Sequence, residues 1–480
     1  MPGWRSDGLM SGGAEKSSSP EDWMAEASLE LLARYDVAGP RYTSYPTAPC
    51  FSADFTAADY LDELKRIGQA ASCPPLSLYF HLPFCGSVCF FCACNVAFTT
   101  DHRRPDRYLD RMIREMDAVL SVWTARRLVK QMHWGGGTPT FFSPDQMSRL
   151  YEAVAERFSI QIGAEVALEV DPRQTSREQL RLLGRLGFNR ISVGIQDFDP
   201  RVQAAVRRVQ SEDLTRKIID EARAEGFKSV SVDLIYGLPF QEEASFARTL
   251  DRVLTLSPDR VAVFNFAYLP GSVRRQKAVP REGLPSPSEK LRLLQRAIRT
   301  FAGAGFRYIG MDHFARPGDE LCVAQDRGTL GRNFQGYTSH AGCELLAFGA
   351  SSISQAGGVY AQNQRDVRDY ERVVDAGGVP TMRGIRLSAE DELRRDVIMR
   401  LMCHLCLEKK AVEQRHGICF DTHFADALDA LAPMERDGMV RCRRDRLEVT
   451  PLGRLFIRNL CLPFDAYFRR PAKGGFSRTV

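Results

Sequence analysis

The stretch HLPFCGSVCFFCACN, His81 to Asn95, sets Cys85, Cys89, Cys92 and Cys94 close together on an apolar background. The first three have the spacing C-x3-C-x2-C, and the fourth follows after one residue. Directly before them, LSLYFHL (Leu76 to Leu82) is apolar and aromatic and reads as a β-strand. The chain holds 13 cysteines in 480 residues, a length that needs no disulfides to make a core. Its start, MPGWRSDGLMSGGAEKSSSP, has no apolar signal core, so a cytoplasmic, reducing setting is expected. In that setting a cysteine cluster points to metal or redox chemistry. Three thiolates can hold three irons of a cubane and leave the fourth open to a ligand. Four can instead close a structural zinc site, and buried, unreactive thiols fit the same spacing.

Outward from the cluster, strand-like and helix-like segments alternate. LSLYFHL, QMHWGG, EVALEV, RISVGIQDF, SVSVDLIYG, RVAVFNFAYL and FRYIGMDHF read as strands. DRYLDRMIREMDAVLS, PDQMSRLYEAVAERF and SEDLTRKIIDEARAEG have helical periodicity, with Pro144 after Ser143, and Asp213 after Ser211, as helix-start residues. Strand then helix, repeated, implies parallel strands with helical crossovers. Six or seven such units predict an α/β fold, a TIM-type barrel or part-barrel, with an open doubly wound sheet as the alternative. The expected division is a disordered extension over 1–25, an N-terminal arm over 26–55, a barrel domain over 56–380 and a mainly helical domain over 381–480. Strands are expected to stop near residue 380, apart from a short hairpin near 441–450. No apolar run is clean enough to span a bilayer, so no membrane partner is expected. The net charge of +5, from 65 basic and 60 acidic residues, is too small an excess to argue for nucleic acid.

In a parallel barrel the loops after the strands form the active-site mouth. Gly135, Gly136 and Gly137 end a strand and suit close backbone approach to a ligand, or simply a tight turn. Glu169 and Asp233 also end strands and should face the mouth, although either could serve as a cap or salt-bridge partner. Arg208 alone reads as a solvated helix residue, and Tyr79 and Phe91 as core aromatics. His313 is a core histidine or a substrate contact. Cys403 and Cys406 form C-x2-C in a helix-period segment and read as buried thiols on one apolar face. Cys322, Cys343, Cys419, Cys442 and Cys461 have no paired spacing.

C-x3-C-x2-C after a first barrel strand resembles the radical S-adenosylmethionine (SAM) enzymes. GPRYTSYPTA, YFHLPFCGSVCFFCACN, HWGGGTPT, EVDPR, VGIQDF, DLIYGLP, GMDHFARPGDEL and RNFQGYT, in this order, resemble the oxygen-independent coproporphyrinogen III oxidase family of heme synthesis. The likeness runs from about Arg34 to the C-terminus. It implies a [4Fe–4S] cluster on Cys85, Cys89 and Cys92, its open iron chelated by SAM, and two bound SAM molecules. Tyr79, Gly136, Glu169 and Ile353 would line the first SAM. Phe91, Gly137, Thr138, Gln196, Arg208, Asp233 and Ala267 would line the second. The implied reaction converts two propionates of coproporphyrinogen III to vinyl groups, giving protoporphyrinogen IX by way of a 5′-deoxyadenosyl radical. A low-potential electron donor such as flavodoxin or ferredoxin is implied, and a monomer is expected. Cys94 is assigned to catalysis or to support of the site, not to the cluster. Arg41 is expected to meet a substrate carboxylate, with the arm folding over the mouth when substrate arrives. Ala93 stands where family members often have glycine, and the first 30 residues match nothing in the family. The rival reading is a related heme chaperone. Those proteins typically continue with aspartate and phenylalanine after the third cysteine, where this chain has Ala93-Cys94-Asn95. A third reading, a zinc-stabilised scaffold, requires that iron be absent.

Overall fold

The computed structural model describes residues 28–70 and 73–468. The extension expected over 1–25 lies outside the described residues. The first six strands of the main sheet are β1 (Leu76–Leu82), β2 (Leu128–Gly136), β3 (Ser159–Val170), β4 (Arg190–Gln196), β5 (Ser229–Tyr236) and β6 (Arg260–Asn265). Each runs parallel to the next. Helices separate them: α1 (Arg104–Leu120), α2 (Pro144–Arg157), α3 (Arg177–Arg185), α4 (Pro200–Ala205), α5 (Glu212–Ala224) and α6 (Glu243–Thr255).

The alternation in LSLYFHL explains its place. Leu76, Leu78, Phe80 and Leu82 are fully buried. They share one face of β1, while Ser77, Tyr79 and His81 take the other. Phe80 stacks on Phe348, ring centroids 5.5 Å apart. Pro144 opens α2 and Asp213 lies in the first turn of α5, and the serine before each helix caps it. Ser143 and Gln146 make a reciprocal capping box on α2, and the Ser211 side chain accepts from the Leu214 amide on α5.

Four features depart from the sequence reading. FRYIGMDHF is not one strand. It breaks at Met311, which has φ 51°, into β7 (Arg307–Gly310) and β8 (His313–Ala315), and β8 runs antiparallel to both β6 and β7. A stretch that showed no strand pattern forms β9 (Glu344–Phe348), β10 (Ile353–Ala356) and β11 (Val359–Asn363). β9 pairs in parallel with β1, Leu78 opposite Leu346, and the others continue antiparallel. Strands do not stop near 380: β12 (Thr381–Arg386) pairs with β11, and Cys406–Glu408 joins the expected hairpin Val440–Cys442/Arg446–Val449 in a small sheet. Finally, Cys403 and Cys406 do not share a helix. Helix α7 (Ala389–His404) ends at Leu405, in the left-handed region at φ 59°, and Cys406 opens a strand.

The sheet has 12 strands in the order β12-β11-β10-β9-β1-β2-β3-β4-β5-β6-β8-β7. Its edges, β12 and β7, do not pair, so this is a partial barrel rather than a hydrogen-bonded cylinder. The parallel strands bring the C-terminal ends of β1 to β6 to one rim.

Candidate active site

The rim encloses a cavity of about 570 Å³. The cysteine loop forms one wall. Its base is closed where Phe84 and Cys85 pair in parallel with Ala97 and Phe98. The Thr99 amide adds a bond to the Cys85 carbonyl at 3.1 Å. Cys85, Cys89, Cys92 and Cys94 all line the cavity, and all are free thiols. Burial pushes the Cys85 thiol up to about 12. A hydrogen bond with Cys94 holds Cys92 down to about 6 and raises Cys94. Arg275 donates to the carbonyls of Cys92 (2.6 Å) and Cys94 (2.5 Å), and Gln276 Nε2 donates to that of Phe91 at 3.0 Å.

The opposite wall comes from strand ends. Gly136, Gly137 and Thr138 follow from β2, Glu169 and Asp171 from β3, and Gln196 ends β4 at φ 69°. Asp233 does not end its strand as expected but reaches the cavity from within β5, three residues before Tyr236, and Ala267 follows β6. Glu169 accepts from the Gly136 amide at 3.2 Å and contacts His133 Nε2 at 3.3 Å. Burial opposes its charge, yet His133 and that amide hold Glu169 below the usual carboxylate range. Asp233 goes the other way: burial first, then the nearby Glu169 charge, pushes it up to about 7.

Arg208 is no solvated helix residue. It is 7% exposed and donates to Asp171 Oδ2 at 2.8 Å and to the Gly194 carbonyl at 2.8 Å. Asp171 also binds Arg173 at 2.7 Å, and Arg173 Nη2 lies 3.3 Å from Cys89 Sγ. Burial disfavours the Asp171 charge, but Arg173 and Arg208 outweigh it and hold the group below its ordinary range.

The glycine run has a packing role of its own. A Cβ on Gly135 would meet the Glu169 carboxyl at 3.0 Å, one on Gly136 the His81 ring at 2.6 Å, and one on Gly137 the Pro83 backbone at 2.6 Å. Gly136 also has φ +110°. Neighbouring protein atoms alone therefore require glycine here, so a bulky substitution breaks the turn before it tests a ligand.

Two expected residues lie off the cavity. Tyr79 bonds His81 Nδ1 at 3.1 Å and stacks on His133, which links it to Glu169. Ile353 sits on the antiparallel strand β10, opposite Gln362. His313 is likewise outside the lining. It packs edge-on to Phe264 and Tyr337, and burial lowers it to about 4. Arg41 does line the cavity, ion-paired to Asp312. The arm that carries it is already seated: Tyr42 and Tyr45 are buried, and Arg458 donates to the carbonyls of Gly39 and Pro40. Asp171, Arg173, Arg275 and Gln276 were not singled out from sequence. EVDPR carried a signal for the first two, whereas Arg275 and Gln276 sit in a loop without one.

Among the described residues no group of three His, Cys, Asp or Glu side chains closes on a single ion-sized point. Cys85, Cys89 and Cys92 all reach the cavity, and Arg173 supplies positive charge beside Cys89, so three thiolates are available there to a cubane, one for each of three irons.

The sequence profile of the Radical SAM superfamily matches residues 79–253, and that of the HemN C-terminal domain matches 387–456. The chain is 44% identical over 453 residues to an oxygen-independent coproporphyrinogen III oxidase of Pseudomonas aeruginosa, covering 94% of this chain and 98% of that one. The chain belongs to the oxygen-independent coproporphyrinogen III oxidase family. An Escherichia coli member is 44% identical over 460 residues, covering 96% of this chain and 99% of its own. A solved structure, described as coproporphyrinogen III oxidase (HemN) from Escherichia coli, a radical SAM enzyme, superposes with a TM-score of 0.87 at 44% identity. It covers 92% of this chain and 99% of that one. As a family member this chain is a radical SAM oxidoreductase with a partial-barrel fold.

Proposed function

We propose that this chain carries out the oxygen-independent oxidative decarboxylation of coproporphyrinogen III in heme biosynthesis, converting two propionates to vinyl groups and yielding protoporphyrinogen IX. One observation carries the reading: the cysteine loop and the strand-end residues that the family likeness points to meet in one cavity. Each propionate loses a hydrogen atom from its β-carbon, then CO2 and one electron. No side-chain acid or base removes such a hydrogen at neutral pH, so the chemistry belongs to a cofactor. A [4Fe–4S] cluster on Cys85, Cys89 and Cys92, together with SAM, supplies a hydrogen-abstracting radical when bound.

The protein's own residues bind, orient and exclude water. Two SAM molecules are proposed, the first toward Tyr79, Gly136, Glu169 and Ile353, the second toward Phe91, Gly137, Thr138, Gln196, Arg208, Asp233 and Ala267. Cys94 supports the site without ligating the cluster. Arg41, oriented by Asp312, offers its guanidinium to a substrate carboxylate. An arm over 26–55, a barrel domain over 56–380 and a smaller domain over 381–480 divide these tasks. The proposed donor is a low-potential carrier such as flavodoxin or ferredoxin, and the working unit a cytoplasmic monomer. No helix among the described residues is long and apolar enough to cross a membrane.

The test is anaerobic reconstitution with iron and sulfide, followed by assay with SAM, reductant and coproporphyrinogen III. Protoporphyrinogen IX should form through a three-propionate intermediate. Stable heme binding with no decarboxylation would replace this reading with the chaperone one.

A further inference from the structure

The cysteine loop has an outer side that the proposed reaction does not use. The Phe90 amide donates to the Val206 carbonyl at 3.0 Å, and the Phe91 carbonyl accepts from Gln276. Phe90 and Phe91 pack against a buried cluster that includes Val202, Val206 and Val279. Segments 206–209 and 274–281 are thereby pinned to the thiol loop. They turn Arg207, Val209, Arg274, Lys277 and Arg281 to solvent. Val209 is 70% exposed, one of few large apolar side chains so bare.

The four cations form no ion pair with any described residue, and none of them lines the cavity. Unpaired surface cations usually just face water. These four are concentrated on two segments that each hydrogen-bond the loop carrying the thiols, Val209 is exposed on the first of them, and Glu282 beside Arg281 is the one exposed acid within the two segments and their adjoining residues. A small anionic substrate entering the cavity meets Arg41 instead. What fits an excess of exposed cations with an exposed apolar side chain, outside the cavity yet on segments bonded to the cysteine loop, is a macromolecule with an acidic face.

We propose that this face docks an acidic one-electron carrier protein, which delivers its electron to the cluster through the backbone of the cysteine loop. The inference rests on the radical SAM reading above. In the step, the reduced carrier loses one electron and the cluster gains it; no atom or proton crosses the interface. Opposite charge steers the encounter, and Val209 supplies close apolar contact.

The experiment uses the reconstituted protein under anaerobic conditions, with reduced flavodoxin and, separately, a reduced ferredoxin as probes. Carrier binding is measured by calorimetry and cluster reduction by stopped-flow absorbance, each at low and high salt. The charge-reversal variant Arg207→Glu/Arg281→Glu should weaken carrier binding and slow carrier-driven reduction by about tenfold or more at low salt, the difference shrinking at high salt. Val209→Asp should do the same with less salt dependence. Reduction by dithionite should match wild type in every variant. The proposal is overturned if carrier binding and reduction are unchanged in the variants, if neither carrier binds the wild type at low salt, or if dithionite reduction slows equally. A wild type that dithionite reduces but that forms no product would count against the functional reading, not against the docking face.

Discussion

Two cavities open at opposite ends of the same strands, and the larger one is not the one that holds the cysteine loop. The cavity at the strand starts, about 700 Å³, is lined by Glu165, Arg190, Asp319 and Glu320. There the charges satisfy one another: Arg190 reaches Glu165 at 2.9 Å and Glu320 at 2.6 Å, and Arg260 reaches Asp319 at 2.7 Å. The rim cavity is smaller, about 570 Å³, but its groups keep unspent bonding capacity. Four free thiols, a carboxylate held low and another pushed up to about 7 share it. Volume alone would favour the strand starts; perturbed groups with bonds still to make favour the rim, where the proposed function places the site.

The comparison breaks most decisively at a thiol. Cys89→Ala should leave the barrel folded but abolish turnover and leave the reconstituted cluster deficient or labile, read by iron, acid-labile sulfide and the EPR signal of the reduced state. Full iron content in that variant would mean the rim is not the cluster site.

A smaller effect sharpens the electrostatic contrast. Asp233 has a folded value of about 7, above its unfolded value of about 4, so folding takes up a proton between them. The cost of ionising the buried group is absent below about pH 4 and complete above about pH 7. Asp233→Asn should therefore raise the stability of the cofactor-free protein at pH 8 by at most about 1.4 kcal/mol for each pH unit separating the two values, a few kcal/mol in all. The gain should shrink toward zero near pH 4. Thermal melts across that range check it, and a pH-independent gain would refute the assignment.

The smallest effect lies at the strand starts. Arg190→Ala removes the guanidinium that Glu165 and Glu320 share and should cost about 1–3 kcal/mol. Iron content and kcat at a permissive temperature should stay at wild type. Lost cluster in Arg190→Ala would erase the distinction between the two ends.

How far the sequence could be read differs by element. β1 to β6 were legible because apolar, β-branched runs followed by helical periodicity leave few alternatives. β9 to β11 were not, because residues 344–363 show no clear strand pattern of their own. Arg208 looked exposed because Val206-Arg207-Arg208 resembles any basic helix end. Asp171, 37 positions away in the chain, is the buried partner that its guanidinium turns inward to meet. The glycine run shows the same limit from the other side. Its composition suggests a ligand, while the atoms that forbid a side chain there are His81, Pro83 and Glu169.

The sequence by itself determined the chemistry available: three thiols at fixed spacing after a strand, a glycine turn and strand-end carboxylates. Spacing within a loop and periodicity within a strand are local properties, and local properties survive in one dimension. Only the tertiary structure decided which charges are spent on each other. Asp312 holds Arg41, Arg208 lies under the thiols on Asp171, and Arg458 clamps the arm. Each of these pairs joins residues tens to hundreds of positions apart. Their strength depends on burial and distance, and neither is written in the order of residues.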